Sequence, residues 1–156
     1  MPIRIDDTQF EQSGRLAGIA IAAYTMRAME RWRAELTDYD CVMILISVLA
    51  ISAERLLRTE LPAELRRLDT PFDPKKLSKV NISSIAHATG LNRETTRRKV
   101  NDLIEQGLLT RFEGGSVGFR PGLVQEERIR TQIRGQLGEI AAVSNQLLKM
   151  GVLVEE

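Results

Sequence analysis

The sequence predicts a mainly α-helical fold carrying one small β-hairpin, and three observations lead there. Apolar residues recur at three- and four-residue spacing over long stretches near both ends, as on one face of a helix. Good helix-starting residues and glycine stops punctuate the middle of the chain. The period changes only after Gly107, where LLTRF and VGFR flank the turn-forming EGGS. At 156 residues and 43% hydrophobic, the chain has the length and apolar content for one ordinary core with helical attachments.

Several classes are disfavoured at once. The formal net charge is +1, from 22 basic and 21 acidic residues, so a uniformly basic or acidic binder is not expected. One cysteine, Cys41, and one histidine, His87, poorly supply a disulfide framework, a Cys/His metal site or a Cys-His nucleophile. Neither a bound metal nor a cofactor is expected. MPIRIDDTQF lacks a basic-then-apolar leader pattern. The longest uncharged runs, Leu16 to Met26 and Cys41 to Ala53, have eleven and thirteen residues, short of the roughly 20 a spanning helix needs. The expected setting is the cytoplasm, without a membrane partner.

The first helix is expected from Thr8, which has the capping-box spacing to Glu11, with Ser13 as a rival start. It runs to about Leu36, with Leu16, Ile19, Ala20, Ala23 and Met26 on one stripe and the small Gly14, Gly18 and Ala22 on another. Thr37 and Asp40 give a second start signal. The following CVMILISVLAISAERLL is apolar nearly all round until Glu54, so it needs cover on several sides. A second copy of the chain is the expected source of that cover. Pro62, Pro71 and Pro74 break residues 59 to 80, with a short helix expected from Pro62 to Leu68 and a loop at PFDPKK.

Charge is unevenly spread. Residues 75 to 122 hold nine basic and four acidic residues, whereas both flanks carry a slight acidic excess. Within this basic third, Lys79 to Ile82 suits a very short strand and Asn81 suits the cap of a helix with Ile82, Ile85 and Ala86 inward. Gly90 stops that helix, and Leu91 plugs the corner. Asn92 caps a second helix from Arg93 to Gln106, with Thr96, Val100 and Leu103 inward and Arg93, Thr95, Arg97, Arg98 and Asn101 outward. Helix, short glycine turn, helix is the helix-turn-helix unit. Its second helix enters the major groove by its leading end, where Arg reads guanine and Thr touches a methyl or phosphate. The glycine hairpin that follows has the place of a wing, flanked by Arg111 and Arg120. The expected fold is thus a winged helix-turn-helix with N- and C-terminal dimerisation helices. Its expected segments are 1–36, 37–122 (helix-turn-helix about 81–107, wing about 108–121) and 123–156.

This order resembles the winged helix of bacterial transcription regulators, in particular the MarR type, the multiple-antibiotic-resistance regulator family. LTDYDCVMILISVL at 36 to 49 is similar to that family's apolar helix, and ISSIAHATGLNRETTRRKVNDLIEQGLLTR at 82 to 111 is similar to its helix-turn-helix and exit. The similarity covers about half of the chain. The connection at 52 to 80 is longer than the family's, and the hairpin lacks its acidic-x-arginine signature. The resemblance implies dimerisation through the terminal helices.

The C-terminal helix is expected from Val124 to Met150, with Ile129, Ile133, Leu137, Ile140, Ser144 and Leu147 forming a near-heptad seam and Gly135 and Gly138 interrupting it. Together these readings predict a homodimeric regulator of transcription that binds double-stranded DNA and is not an enzyme. Asn92, Arg93, Thr95, Arg97, Arg98 and Asn101 are the expected DNA contacts, with Lys99 and Arg111 as further phosphate contacts. A solvated basic face is the plain alternative for these side chains. A small-molecule effector among Trp32, Tyr24, Tyr39, Met26, Met29 and Met43 is unsupported, because such residues at helical spacing are usually core. His87 reads as a surface residue and Cys41 as a buried, inert thiol. The rival functions are a protein-interaction scaffold on the same fold and a plasmid or phage replication or partition factor.

Overall fold

Asp6 starts the first helix in the computed structural model of the chain, which describes residues 1–156. Its side chain accepts a hydrogen bond from Gln9 N at 2.8 Å, so helix α1 spans Asp7–Arg33. The cap is Asp6, not Thr8, because an extended residue at 6 already serves the first free amides. The next helix start also differs, by one residue in the opposite direction. Asp38, rather than Thr37, accepts from Cys41 N at 3.0 Å and starts α2, Tyr39–Leu57. Helix α3 is Ile82–Thr89, α4 is Arg93–Glu105 and α5 is Glu127–Lys149. The chain is mainly α, with five helices and short strands β1 (Ile3–Ile5), β2 (Leu109–Arg111), β3 (Val117–Phe119) and β4 (Leu153–Glu155). No helix is long and apolar enough to cross a membrane.

Two compact units divide the chain, residues 1–34 with 131–156, and residues 35–130. In the first unit the N- and C-terminal helices pack together. Ala17, Ala20 and Ala28 of α1 and Val143 of α5 are buried. Of the stripe Leu16, Ile19, Ala20, Ala23 and Met26, Ala20 is buried, whereas Leu16, Ile19 and Met26 stay 57%, 61% and 57% exposed. Arg31 crosses to Glu139, and Trp32 Nε1 donates to Gln136 Oε1 at 2.5 Å. A Cβ at Gly135 would stand 2.5 Å from the Arg31 guanidinium, so the glycine lets that side chain lie across α5. Gly18 and Gly138 have no such neighbour within the chain. Strands β1 and β4 pair antiparallel, Ile3 opposite Glu155, and join the two ends of the chain.

In the second unit α2, α3, α4 and the hairpin share a core that includes Val42, Ile44, Val48, Ile85, Val100, Leu103 and Leu109. The uncovered part of α2 keeps Met43, Ile46 and Leu49 exposed. The expected helix at 62 to 68 is a 3₁₀ turn, Ala63–Arg66. A second 3₁₀ turn, Pro74–Lys76, lies within the expected PFDPKK loop. Instead of a strand at 79 to 82, Val80 alone bridges to Val117. The C-terminal helix begins three residues later than expected, after a 3₁₀ turn at Leu123–Gln125.

Candidate nucleic-acid interface

Local chemistry builds the site from two asparagine caps and one left-handed glycine. Asn81 accepts from Ser84 N at 2.9 Å and starts α3. Gly90 ends it at φ 73°, a conformation open to glycine at little cost. Asn92 then accepts from Thr95 N at 2.8 Å and starts α4. Thr96, Val100 and Leu103 are wholly buried, which fixes the rotation of α4 about its axis. Thr96 satisfies its own hydroxyl on Asn92 O at 2.9 Å.

That rotation leaves Arg93, Arg97, Arg98 and Asn101 exposed and Thr95 half-buried. The guanidiniums differ in their partners. Arg97 forks onto Glu94, Nη2 to Oε1 at 2.6 Å and Nε to Oε2 at 3.1 Å. The hydrogen bond from Arg97 holds the Glu94 carboxyl below its ordinary pKa. Arg93 and Arg98 form no ion pair. Asn92 spends its side-chain oxygen on the cap. Its amide nitrogen is the group left to meet a partner.

Lys99 departs from its expected role. Its side chain is 12% exposed and its ammonium lies on Asp38, with Asp40 at 3.6 Å. Those carboxylates belong to the start of α2, so Lys99 joins α4 to the cap of its neighbour. The hydrogen bond from Lys99 lowers the Asp38 pKa, and Asp38 raises that of Lys99. Its charge is balanced inside the unit by these two carboxylates.

The hairpin follows directly. Leu109 pairs with Phe119 and Arg111 with Val117. Gly114 and Gly115 take φ 81° and 83° at the turn, where a side chain would be strained. Arg111 Nη2 donates to Asn101 Oδ1 at 2.9 Å, tying the hairpin to α4. Arg120, at the other flank of the hairpin, donates to Gly107 O at 2.6 Å and pairs with Glu126. It closes the base of the hairpin. The signal for the Glu94–Arg97 pair was present in the i, i+3 spacing. The Lys99 and Arg120 pairs had no local signal.

The remaining candidates fall elsewhere. Cys41 is 1% exposed, and burial pushes its thiol pKa up to about 11. His87 is exposed on α3. None of Tyr24, Met26, Met29, Trp32, Tyr39 or Met43 lines the cavity found in the second unit. No cluster of three His, Cys, Asp or Glu side chains is placed to hold a metal. Compared with protein-family models, curated proteins and solved structures, the chain matches none.

Proposed function

We propose that the chain is a sequence-specific DNA-binding regulator of transcription, of winged helix-turn-helix type and similar to the MarR regulators. It acts as a cytoplasmic homodimer. Helix α4 enters the major groove by its first turns, and the hairpin serves as a compact wing. The single observation carrying this reading is the rotation of α4: Thr96, Val100 and Leu103 are sealed in the core, while Arg93 and Arg98 project outward without ion-pair partners. Phosphate neutralisation supplies affinity, and base contacts from the start of α4 supply specificity. The exposed Leu16, Ile19 and Met26, which share one face of α1 by their spacing, support a dimer through the terminal helices, since scattered apolar side chains are ordinary but a grouped set marks a contact surface.

Selection of bound duplexes from random DNA, at stated ionic strength, tests the reading. Enrichment of a two-fold sequence with half-sites about one helical turn or a multiple apart is expected. A pool without enrichment counts against it. The second reading, a protein-interaction scaffold, draws on the pairing of Arg97 with Glu94 and of Arg111 with Asn101, which leaves fewer open cations than the sequence alone offers.

A further inference from the structure

The long connection after α2 does more than span a gap: together with the end of that helix and the hairpin it encloses a cavity of about 420 Å³. That volume falls in the range of small-molecule sites, about 300–1,000 Å³. Two backbone bonds hold its walls together. Ser78 N donates to Ser52 O at 3.0 Å, fastening the connection to α2, and Val117 N donates to Val80 O at 2.7 Å, fastening it to β3. Leu77, Phe112, Val117 and Phe119 give the cavity an apolar lining. Gly118 shapes one wall: a Cβ there would stand 2.7 Å from the Phe112 ring, so the missing side chain lets that ring fold across the strand.

Charge selects the occupant. Lys75 and Lys79 border the cavity, both exposed, and neither has a salt-bridge partner. Glu113 is the one acidic residue of the lining. Two ammoniums against one carboxylate leave a single positive charge to balance. We infer that this cavity binds a small monocarboxylate with an apolar body, the body lying against the aromatic wall and the carboxylate between Lys75 and Lys79. The inference does not depend on DNA binding, and its test contains no DNA.

Three probes with the same ten-carbon chain separate body from head: decanoate, decanol and decyltrimethylammonium, each titrated into the full chain below micelle formation. Decanoate is expected to bind about fivefold more tightly than decanol, equivalent to one charged contact retained in partly wet surroundings. The cation is expected not to bind measurably. In the double variant Lys75→Gln, Lys79→Gln the decanoate affinity is expected to fall about fivefold, to the level of decanol. Both lysines are exposed and unpaired, so thermal unfolding of this variant is expected to match the parent. Ring-proton shifts of Phe112 and Phe119 locate the bound chain. Equal affinity for all three probes overturns the inference. So does decanoate binding that survives the double substitution, which would place it on the exposed apolar faces instead.

Discussion

Arg93, Arg97, Arg98 and Lys99 lie within seven positions of one another and differ in what they touch. Lys99 is held by Asp38 and Asp40 and Arg97 by Glu94, whereas Arg93 and Arg98 make no salt bridge, although the Arg98 charge also acts on Glu94. Exposed i, i+3 pairs are weak and break readily when a better anion arrives. Arg97→Ala is therefore expected to weaken operator binding by about 1–3 kcal/mol if Arg97 makes a bidentate base contact; unchanged binding in a titration with the selected duplex removes it from the interface. Glu94→Gln releases Arg97 and takes one negative charge from the face of α4, so tighter binding to any duplex at low salt is expected, and a weaker complex would show that Glu94 itself contacts the DNA. Cys41 makes a separate prediction. Its pKa is about 11 when folded against an ordinary 9.0. The unfolded chain releases the proton first, so the stabilising effect is complete below about pH 9 and is lost as pH rises through 11. Urea unfolding between these values should show that slope in the parent and not in Cys41→Ala.

At the scale of elements, the order of helix α3, glycine turn and helix α4 could be read from the sequence because its signals are local. Asn81, Gly90 and Asn92 act at the positions their chemistry suits, and the α4 face follows from three- and four-residue spacing. Asn92→Ala is expected to cost about 1 kcal/mol of stability by removing the cap, measured by chemical denaturation. The start of α4 should then show faster amide exchange; an unchanged exchange pattern would mean the cap contributes little. Elsewhere the local signals were crowded. Asp6, Asp7 and Thr8 are all competent near one helix start, as are Thr37, Asp38 and Asp40 near another, and spacing alone does not choose among neighbours. Contacts distant in sequence were illegible for a different reason. Strands β1 and β4 have three residues each and lie at opposite ends of the chain, so no periodicity announces them. The pairs Lys99–Asp38 and Arg31–Glu139 exist only once helices have packed. The stripe on α1 was visible, but which face is covered within one chain was not. The small residues Ala17, Ala20 and Ala28 take the buried side, and the large ones remain outside.

For the whole molecule, those uncovered large residues and the exposed face of α4 make linked demands. A single α4 reaches one half-site, whereas a two-fold pair reads twice the sequence. For the proposed homodimer, Leu16→Glu combined with Ile19→Glu is expected to give a monomer in sedimentation velocity, with the thermal transition of the second unit retained; a dimer that persists would place the contact on another surface. Loss of the dimer should also weaken binding to the two-fold duplex far more than binding to an isolated half-site. Helix α4 is proposed to meet DNA through the guanidinium groups of Arg93 and Arg98. The most direct measurement is the affinity for the selected duplex as a function of salt, for the parent and for Arg93→Ala with Arg98→Ala. A steep linear fall of log K with log salt is expected in the parent, with a slope of about −0.9 for each phosphate neutralised, and a shallower fall in the double variant. A salt-independent affinity, or equal slopes for the two proteins, would contradict it.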